Sequence, residues 1–459
     1  MALFVSYTPA TTITRALFNF DVSGTDNFIV SGTVRVSVSD SFTAADQAAA
    51  DFYPDIYTVA SPEVDWNLAV PQGGTRASSV EQTLGIIAQF ANITFDWRGD
   101  IDTIGGDTLV SPANVAAANL SDINISLVMR GDVDWSGLAS GDGDAALGYR
   151  GAAGDVFINA AFLGDTSFGV GSPARTTLMH ELLHSLGLSH PHSQYLTGVP
   201  TITADYAATR SLGFDKLGFH TATAADMYKE YFTIMSYDDG NPLEEAHTPM
   251  ILDVIALQQA YGEGAGTQTN GSGTSTTGDD TITAGTAGYR VYFDKAGNDT
   301  INLENYSGGV YLHMGATITG AAHLVGVAMS ATDFNRLNLV GADPPNLRWF
   351  YGEFENASAS AGADRVIGNA LANHIAGLAG SDKLYGAAGN DALDGGAGAD
   401  LLAGGAGNDR LQGGTGSDTA DYGHASAKVV VSLGVSGAQD TRGAGIDTLS
   451  SIENLAGSR

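Results

Sequence analysis

The segment His180 to His190, HELLHSLGLSH, sets three imidazoles at spacings of four and six. On a helix, residues four apart share a face, so His180 and His184 can aim ring nitrogens at one divalent ion about 2.0–2.1 Å away. Gly187 lets the chain leave the helix in a left-handed conformation and turn back, which brings His190 round as a third ligand. His192 is a rival for that place, but it lies off the spacing and reads as a loop residue. Three neutral donors leave a position open for water, the pattern of a catalytic zinc and not of a closed structural one. Glu181 points along a different helical bearing, where it meets the water and not the ion. It is the expected acceptor of the water's proton and its donor to a leaving amine. An HExxH pair alone arises by chance in helices; Gly187 and His190 in register give it weight.

A second chemistry lies downstream. Blocks of nine from Ala359 read ASAGADRVI, GNALANHIA, GLAGSDKLY, GAAGNDALD, GGAGADLLA, GGAGNDRLQ and GGTGSDTAD. Asp364, Asp382, Asp391, Asp400, Asp409 and Asp418 hold one column, interrupted by Asn373. Val366, Ile375, Leu384, Leu393, Leu402 and Leu411 hold another. The glycines turn carbonyl oxygens inward, each Asp adds a carboxylate, and stacked turns complete one another's cages for several structural calcium ions. A disordered Gly-rich linker would share the composition but not two columns in register. GDDTI and GNDTI carry the same core outside the repeat, so Asp280 and Asp299 are weaker calcium candidates.

The elements that must hold these groups are partly visible. Val80, Leu84, Ile87 and Phe90 share a helical face, with Ser78 and Ser79 as N-cap candidates, and the run passes into the strand ITFDW. Ile123 to Met129 and Asp155 to Asn159 read as strands. LDVIALQQAYG reads as a helix after Pro249, with Gly262 at its end. The expected organisation is an N-terminal segment over 1–60, which could be an accessory hairpin, a pro-segment or the first strands of the next domain. An α/β (α+β) domain spans 61–262, a Gly/Ser/Thr linker 263–277, and an all-β parallel β-roll 278–459. The 191–230 stretch reads as a surface insertion, with a lid or an extra cleft wall as the alternative.

Over 459 residues, 51 acids against 20 bases give a formal charge of −31, which repels nucleic acid and anionic membranes and attracts hard cations. There is no cysteine, so any zinc is held by histidine or carboxylate. No run of eighteen apolar residues and no secretory leader is visible.

With these residues in place, the chain resembles the metzincin metallopeptidases, and more narrowly the serralysins. HELLHSLGLSHP matches their extended motif through Pro191, and FTIMSY (Phe232 to Tyr237) is similar to their Met-turn; ANITF, GDVFIN and the PMILDVIALQQAYG helix are looser matches. The resemblance implies a metzincin catalytic domain followed by an RTX roll. It also implies one catalytic zinc, Met235 beneath the metal, and Tyr237 stabilising the oxyanion. An edge strand at Asp155, Val156, Phe157, Ile158 and Asn159 would pair with extended protein or peptide substrates. It further implies a monomeric, secreted, extracellular or cell-surface bacterial endopeptidase exported by type I secretion machinery, with the roll serving export, folding and stability. Asp238 and Asp239 stand where the family has tryptophan. In RTX proteins GIDTLSSIENLAGSR normally introduces another repeat block, so the chain is expected to continue beyond Arg459 with more repeats, a secretion signal or a surface-attachment region. The alternative is a calcium-dependent protein anchored on a calcium-rich cell surface, with its metal domain secondary or inactive.

Overall fold

The computed structural model describes residues 3–6, 28–39, 69, 74–100, 123–128, 137–139, 155–159, 168–188, 217, 232–236, 245–266, 278–286, 288–337 and 346–457. These divide into two compact units, one of residues 1–209 and 227–265, the other of 210–226 and 266–459.

In the first unit, β1 (Leu3–Ser6) and β2 (Phe28–Ser31) form an antiparallel pair. A separate five-stranded sheet contains β3 (Thr33–Ser39), β4 (Thr94–Asp100), β5 (Ile123–Val128), β6 (Gly137–Ala139) and β7 (Asp155–Asn159), in the order β4-β3-β5-β7-β6. β3 runs parallel to both β4 and β5. Val34, Val36 and Val38 on one face and Arg35 and Ser37 on the other are all buried, as expected of an interior strand covered on both sides. Of the alternatives open for residues 1–60, β3 fits the first strands of the next domain, since it is an interior strand of this sheet.

Helix α1 (Arg76–Phe90) begins two residues before the first of the serines expected to cap it. Thr75 is the N-cap, accepting from the Ser78 amide at 3.2 Å, while Ser78 Oγ accepts from the Thr75 amide at 2.9 Å. This reciprocal capping box satisfies two end donors, and Val80, Leu84, Ile87 and Phe90 face the core. α2 (Pro173–Ser185) has Ser172 as N-cap and proline in its first turn. It packs on β6, β7 and α1. α3 (Ile251–Tyr261) ends at Gly262, whose φ of 82° suits glycine. The chain then stays bound to α1, with the Gly264 and Ala265 amides donating to the Phe90 and Ala88 carbonyls. The first unit thus runs to residue 265, and the expected linker begins later than 263. Among the described residues, no helix is long and apolar enough to cross a membrane.

The second unit is a two-sheeted roll of mostly parallel strands. Successive nine-residue blocks fall alternately in the two sheets, so each strand pairs with one eighteen residues on: Ile375 with Leu393 and Leu393 with Leu411 in one sheet, Val366 with Leu384 and Leu384 with Leu402 in the other. The aliphatic column is the core between them. Each fully buried Leu adds about 1.5–3 kcal/mol. At the N-terminal end, antiparallel strands at Val310–Ala316, Val325–Ser330 and Leu347–Tyr351 widen one sheet around buried Trp349.

Candidate metal centre and cation ladders

α2 places His180 and His184 on one face, both buried, with their Nε2 atoms 3.1 Å apart and their rings nearly perpendicular. Their other nitrogens are tied down. His180 Nδ1 donates to the Ile234 carbonyl and His184 Nδ1 to the Leu188 carbonyl, both at 2.7 Å. With each proton used on Nδ1, neutral rings turn two lone pairs on each other across 3.1 Å, an arrangement that calls for a cation between them. Two imidazole nitrogens on one tetrahedral zinc would lie about 3.3 Å apart. The donor set and its carbonyl backing therefore fit zinc. Gly187 adopts φ 99° where the helix ends, with its amide on the His184 carbonyl. Glu181 is buried in the same helix, and desolvation pushes its carboxyl up to about 8. His190 and Tyr237 lie outside the described residues.

Met235 is buried in the turn 232–236, whose Ile234 carbonyl holds His180. What fixes that turn escaped the sequence reading. Asp253, fully buried on α3, accepts from Thr233 Oγ1 at 2.5 Å, the Ile234 amide at 2.8 Å and the Met250 amide at 2.9 Å. Burial raises its pKa to about 7 against the pull of these bonds. The available signal was a lone acid in the apolar run ILDVIAL. Asp253→Ala leaves three buried donors without an acceptor and should cost about 2–4 kcal/mol in urea unfolding. Because the same carboxylate sets the carbonyl behind His180, zinc affinity by competition with a chromogenic chelator should also fall about 10–100-fold.

β7 is hydrogen-bonded on both flanks, parallel to β5 and antiparallel to β6. Its backbone groups are spent within the sheet, so Asp155, Val156, Phe157, Ile158 and Asn159 are not the edge expected to take a peptide. Val156 and Ile158 point into the core. The edge strand beside α2 is Gly137–Ala139.

In the roll, the acidic column forms two ladders. The amides of Asp364, Asp382 and Asp400 donate to Oδ1 of Asp382, Asp400 and Asp418; those of Asn373 and Asp391 donate to Oδ1 of Asp391 and Asp409. Each bond spans eighteen residues, at 2.8–3.0 Å. The second oxygen of Asp382, Asp391, Asp400, Asp409 and Asp418 is buried without a hydrogen-bond partner. Opposite it stands a carbonyl. A methyl group placed on Gly395 would lie 2.5 Å from Asp400 Oδ2 and 2.7 Å from the Gly413 carbonyl, and Gly377 repeats this with Asp382 and the Gly395 carbonyl. Buried, unpaired carboxylate oxygens facing carbonyls are a donor set for calcium. Desolvation pushes Asp382 and Asp391 up to about 7 and Asp409 to about 6.

Asp364 differs from the others in its column. Ser360 gives its amide and hydroxyl to the two Asp364 oxygens, and the Val310 amide adds a third donor. Its carboxylate is supplied by protein and stands outside the row of unpaired oxygens. Asp280 and Asp299, expected as isolated turns, come together with Asp294, their ligand oxygens within 4.8 Å of one another. Asp294 and Asp299 each bury an unpaired Oδ2. Sequence reading missed Asp294, and also Glu355, Asp447 and Glu453, which accept from the amides of Asp299, Asp409 and Asp418. The signal was an acid two residues before an aliphatic strand position, as in Glu355-Asn-Ala357 and Asp447-Thr-Leu449.

A family model described as the RTX calcium-binding nonapeptide repeat matches residues 358–393, 367–402 and 394–423. The chain is 27% identical over 227 residues to a protein named Metalloprotease AprA from Pseudomonas entomophila (strain L48), covering 47% of this chain and 41% of that protein. It is 29% identical over 258 residues to Metallopeptidase AprA from Pseudomonas marginalis, covering 53% and 49%. The chain spans about half the length of the curated relatives it matches.

Proposed function

From a chain that carries RTX calcium-binding repeats and resembles serralysin-type metalloproteases over about half its length, we propose a secreted, zinc-dependent endopeptidase whose roll folds on calcium. The observation that carries this reading is the pair of His180 and His184 Nε2 atoms, 3.1 Å apart, each backed by a backbone carbonyl on Nδ1.

His180 and His184 hold the ion, with His190 as third ligand from the motif. A zinc ion so bound supplies Lewis acidity toward water and a scissile carbonyl. Glu181 accepts the proton from the attacking water and delivers it to the departing amine, so that bond cleavage ends with a neutral amine and a carboxylic acid. Tyr237 assists at the oxyanion. The substrate class is an extended polypeptide. The edge strand Gly137–Ala139, next to the histidine helix, is suited to receive it by main-chain pairing, which imposes little sequence preference. Calcium ligated by buried carboxylates stabilises a roll that is unfavourable without it, which fits passage of an unfolded chain through type I export machinery and folding outside.

Incubation with denatured casein tests the reading. Activity should vanish with a zinc-selective chelator in excess calcium and return on adding one equivalent of zinc. His184→Ala should reduce bound zinc below one tenth of an equivalent by elemental analysis. Casein cleavage that persists in metal-free protein would overturn it.

A further inference from the structure

The family model for the repeats ends at residue 423, and the nine-residue pattern is then interrupted over residues 422–445, which still pack on the roll through Tyr422 and Ala444 and pair at Gln439–Asp440 with the strand that follows. Beyond the interruption come two further strands, Ile446–Ser450 and Asn454–Ala456, stacked parallel on Arg410–Gly416 and Thr419–Asp421. Both acidic ladders continue across the gap. The Asp409 amide donates to Asp447 Oδ1 at 3.0 Å, and the Asp418 amide to Glu453 Oε2 at 2.9 Å.

The two ladders end differently. On one, the second oxygen of Asp447 accepts the buried Tyr422 hydroxyl at 3.1 Å. That oxygen therefore has a protein partner, unlike the second oxygens of Asp391 and Asp409 earlier on the same ladder. On the other, Asp418 is 0% exposed and its Oδ2 has no partner. A methyl group placed on Gly413 would lie 2.6 Å from Asp418 Oδ2 and directly against the Ser451 carbonyl. This repeats the arrangement at Gly395, with Ser451 standing where the repeats place glycine, four residues after the ladder acid. Ser451 reaches it with φ 51°, a left-handed conformation that a residue with a Cβ adopts at a cost.

We infer that Asp418 and the Ser451 carbonyl form a discontinuous calcium site, half inside the repeats and half beyond them, which ties the 446–456 strands to the roll across the interruption. The inference rests on the roll being a calcium-binding structure, and it assigns an ion to residues outside the recognised repeats. The ligand is a hard divalent cation, because every donor is oxygen and the carboxylate is desolvated. Calcium would add a link across the interruption beside the Asp409–Asp447 and Asp418–Glu453 bonds, so its removal should loosen the returning strands before the upstream turns.

The test uses the full chain in about millimolar calcium, a concentration at which extracellular calcium modules are occupied. Asp418→Asn should bind one calcium fewer per chain than the parent by elemental analysis after gel filtration. Amides of 446–456 should exchange with deuterium about tenfold faster or more. Gly413→Ala keeps every carboxylate and places a methyl in the site; it should give the same two results, and it decides the matter if Asp418→Asn fails to fold. Asp382→Asn is the comparison, losing an ion from an upstream position of the same ladder without loosening 446–456. An unchanged calcium count in Asp418→Asn and Gly413→Ala beside a loss in Asp382→Asn overturns the discontinuous site alone, as does a lost ion with unchanged exchange at 446–456. An unchanged count in all three variants overturns the calcium reading of the roll itself.

Discussion

Glu181→Gln is expected to retain one equivalent of zinc and the parent's melting temperature while losing about 10²–10⁴-fold in casein hydrolysis. The proposed ligands His180 and His184 have their second nitrogens fixed by the Ile234 and Leu188 carbonyls, and none of these groups changes in the variant. Gln fills the same volume at a position only 6% exposed, so packing of α2 is preserved. What is removed is the one side chain proposed to accept and return a proton, and positioned acid–base groups contribute rates of that size. Zinc content by mass spectrometry and initial rates on labelled casein read the two halves separately. Activity within tenfold of the parent, with zinc in place, would move the base elsewhere.

The second large effect is on the roll. With calcium chelated at pH 8, its β-sheet circular dichroism should collapse; acidification to about pH 4–5 should restore it without calcium, and at pH 8 millimolar calcium should do the same. The sign is set by the carboxyls. Asp382 and Asp391 are raised to about 7 and Asp409 to about 6 in the fold, above the ordinary value near 4 that they regain on unfolding. The folded chain binds these protons more tightly, so their stabilisation is whole below about pH 4 and is lost as pH rises toward 7. The shifts amount to a combined penalty on the order of 10 kcal/mol at pH 8; halved for water reaching the outer turns, about 5 kcal/mol remains. That rivals the roughly 5–15 kcal/mol of a whole domain. Circular dichroism that is indifferent to chelator at pH 8 would refute this balance.

The sequence was most informative where chemistry is local. Two histidines four apart on a helix meet because helical geometry alone brings them together, and an acid and an aliphatic residue repeated every nine positions stack because identical turns repeat. It was least informative where partners are distant. Nothing near Val34, Val36 and Val38 tells that they lie between strands sixty and ninety residues away, and the alternation of FIVSGTVRVSV suits an edge hairpin equally well. The DVFIN strand was misplaced for the same reason, since its antiparallel neighbour is the three-residue piece Gly137–Ala139. Asp364 fits its column by spacing, yet Ser360, four residues earlier, satisfies it, a capture that only the folded turn shows. Asp447 and Glu453 carry the right pattern but fall out of phase once residues 422–445 intervene. Asp253 gave only its incongruity, because its donors belong to a turn about twenty residues upstream.

The eighteen-residue reach of each ladder bond gives the roll a parity. Losing one nine-residue block would leave the remaining blocks able to stack, but every later element would change sides. The strand ending at Asp421 and the two returning strands, which keep one another as neighbours, would then lie in the opposite sheet relative to the widened N-terminal end of the roll. Gain or loss of two blocks at a time keeps both ends matched. Chains of this design should therefore lengthen and shorten in steps of eighteen residues, an even count imposed by their termini and not by the repeat itself.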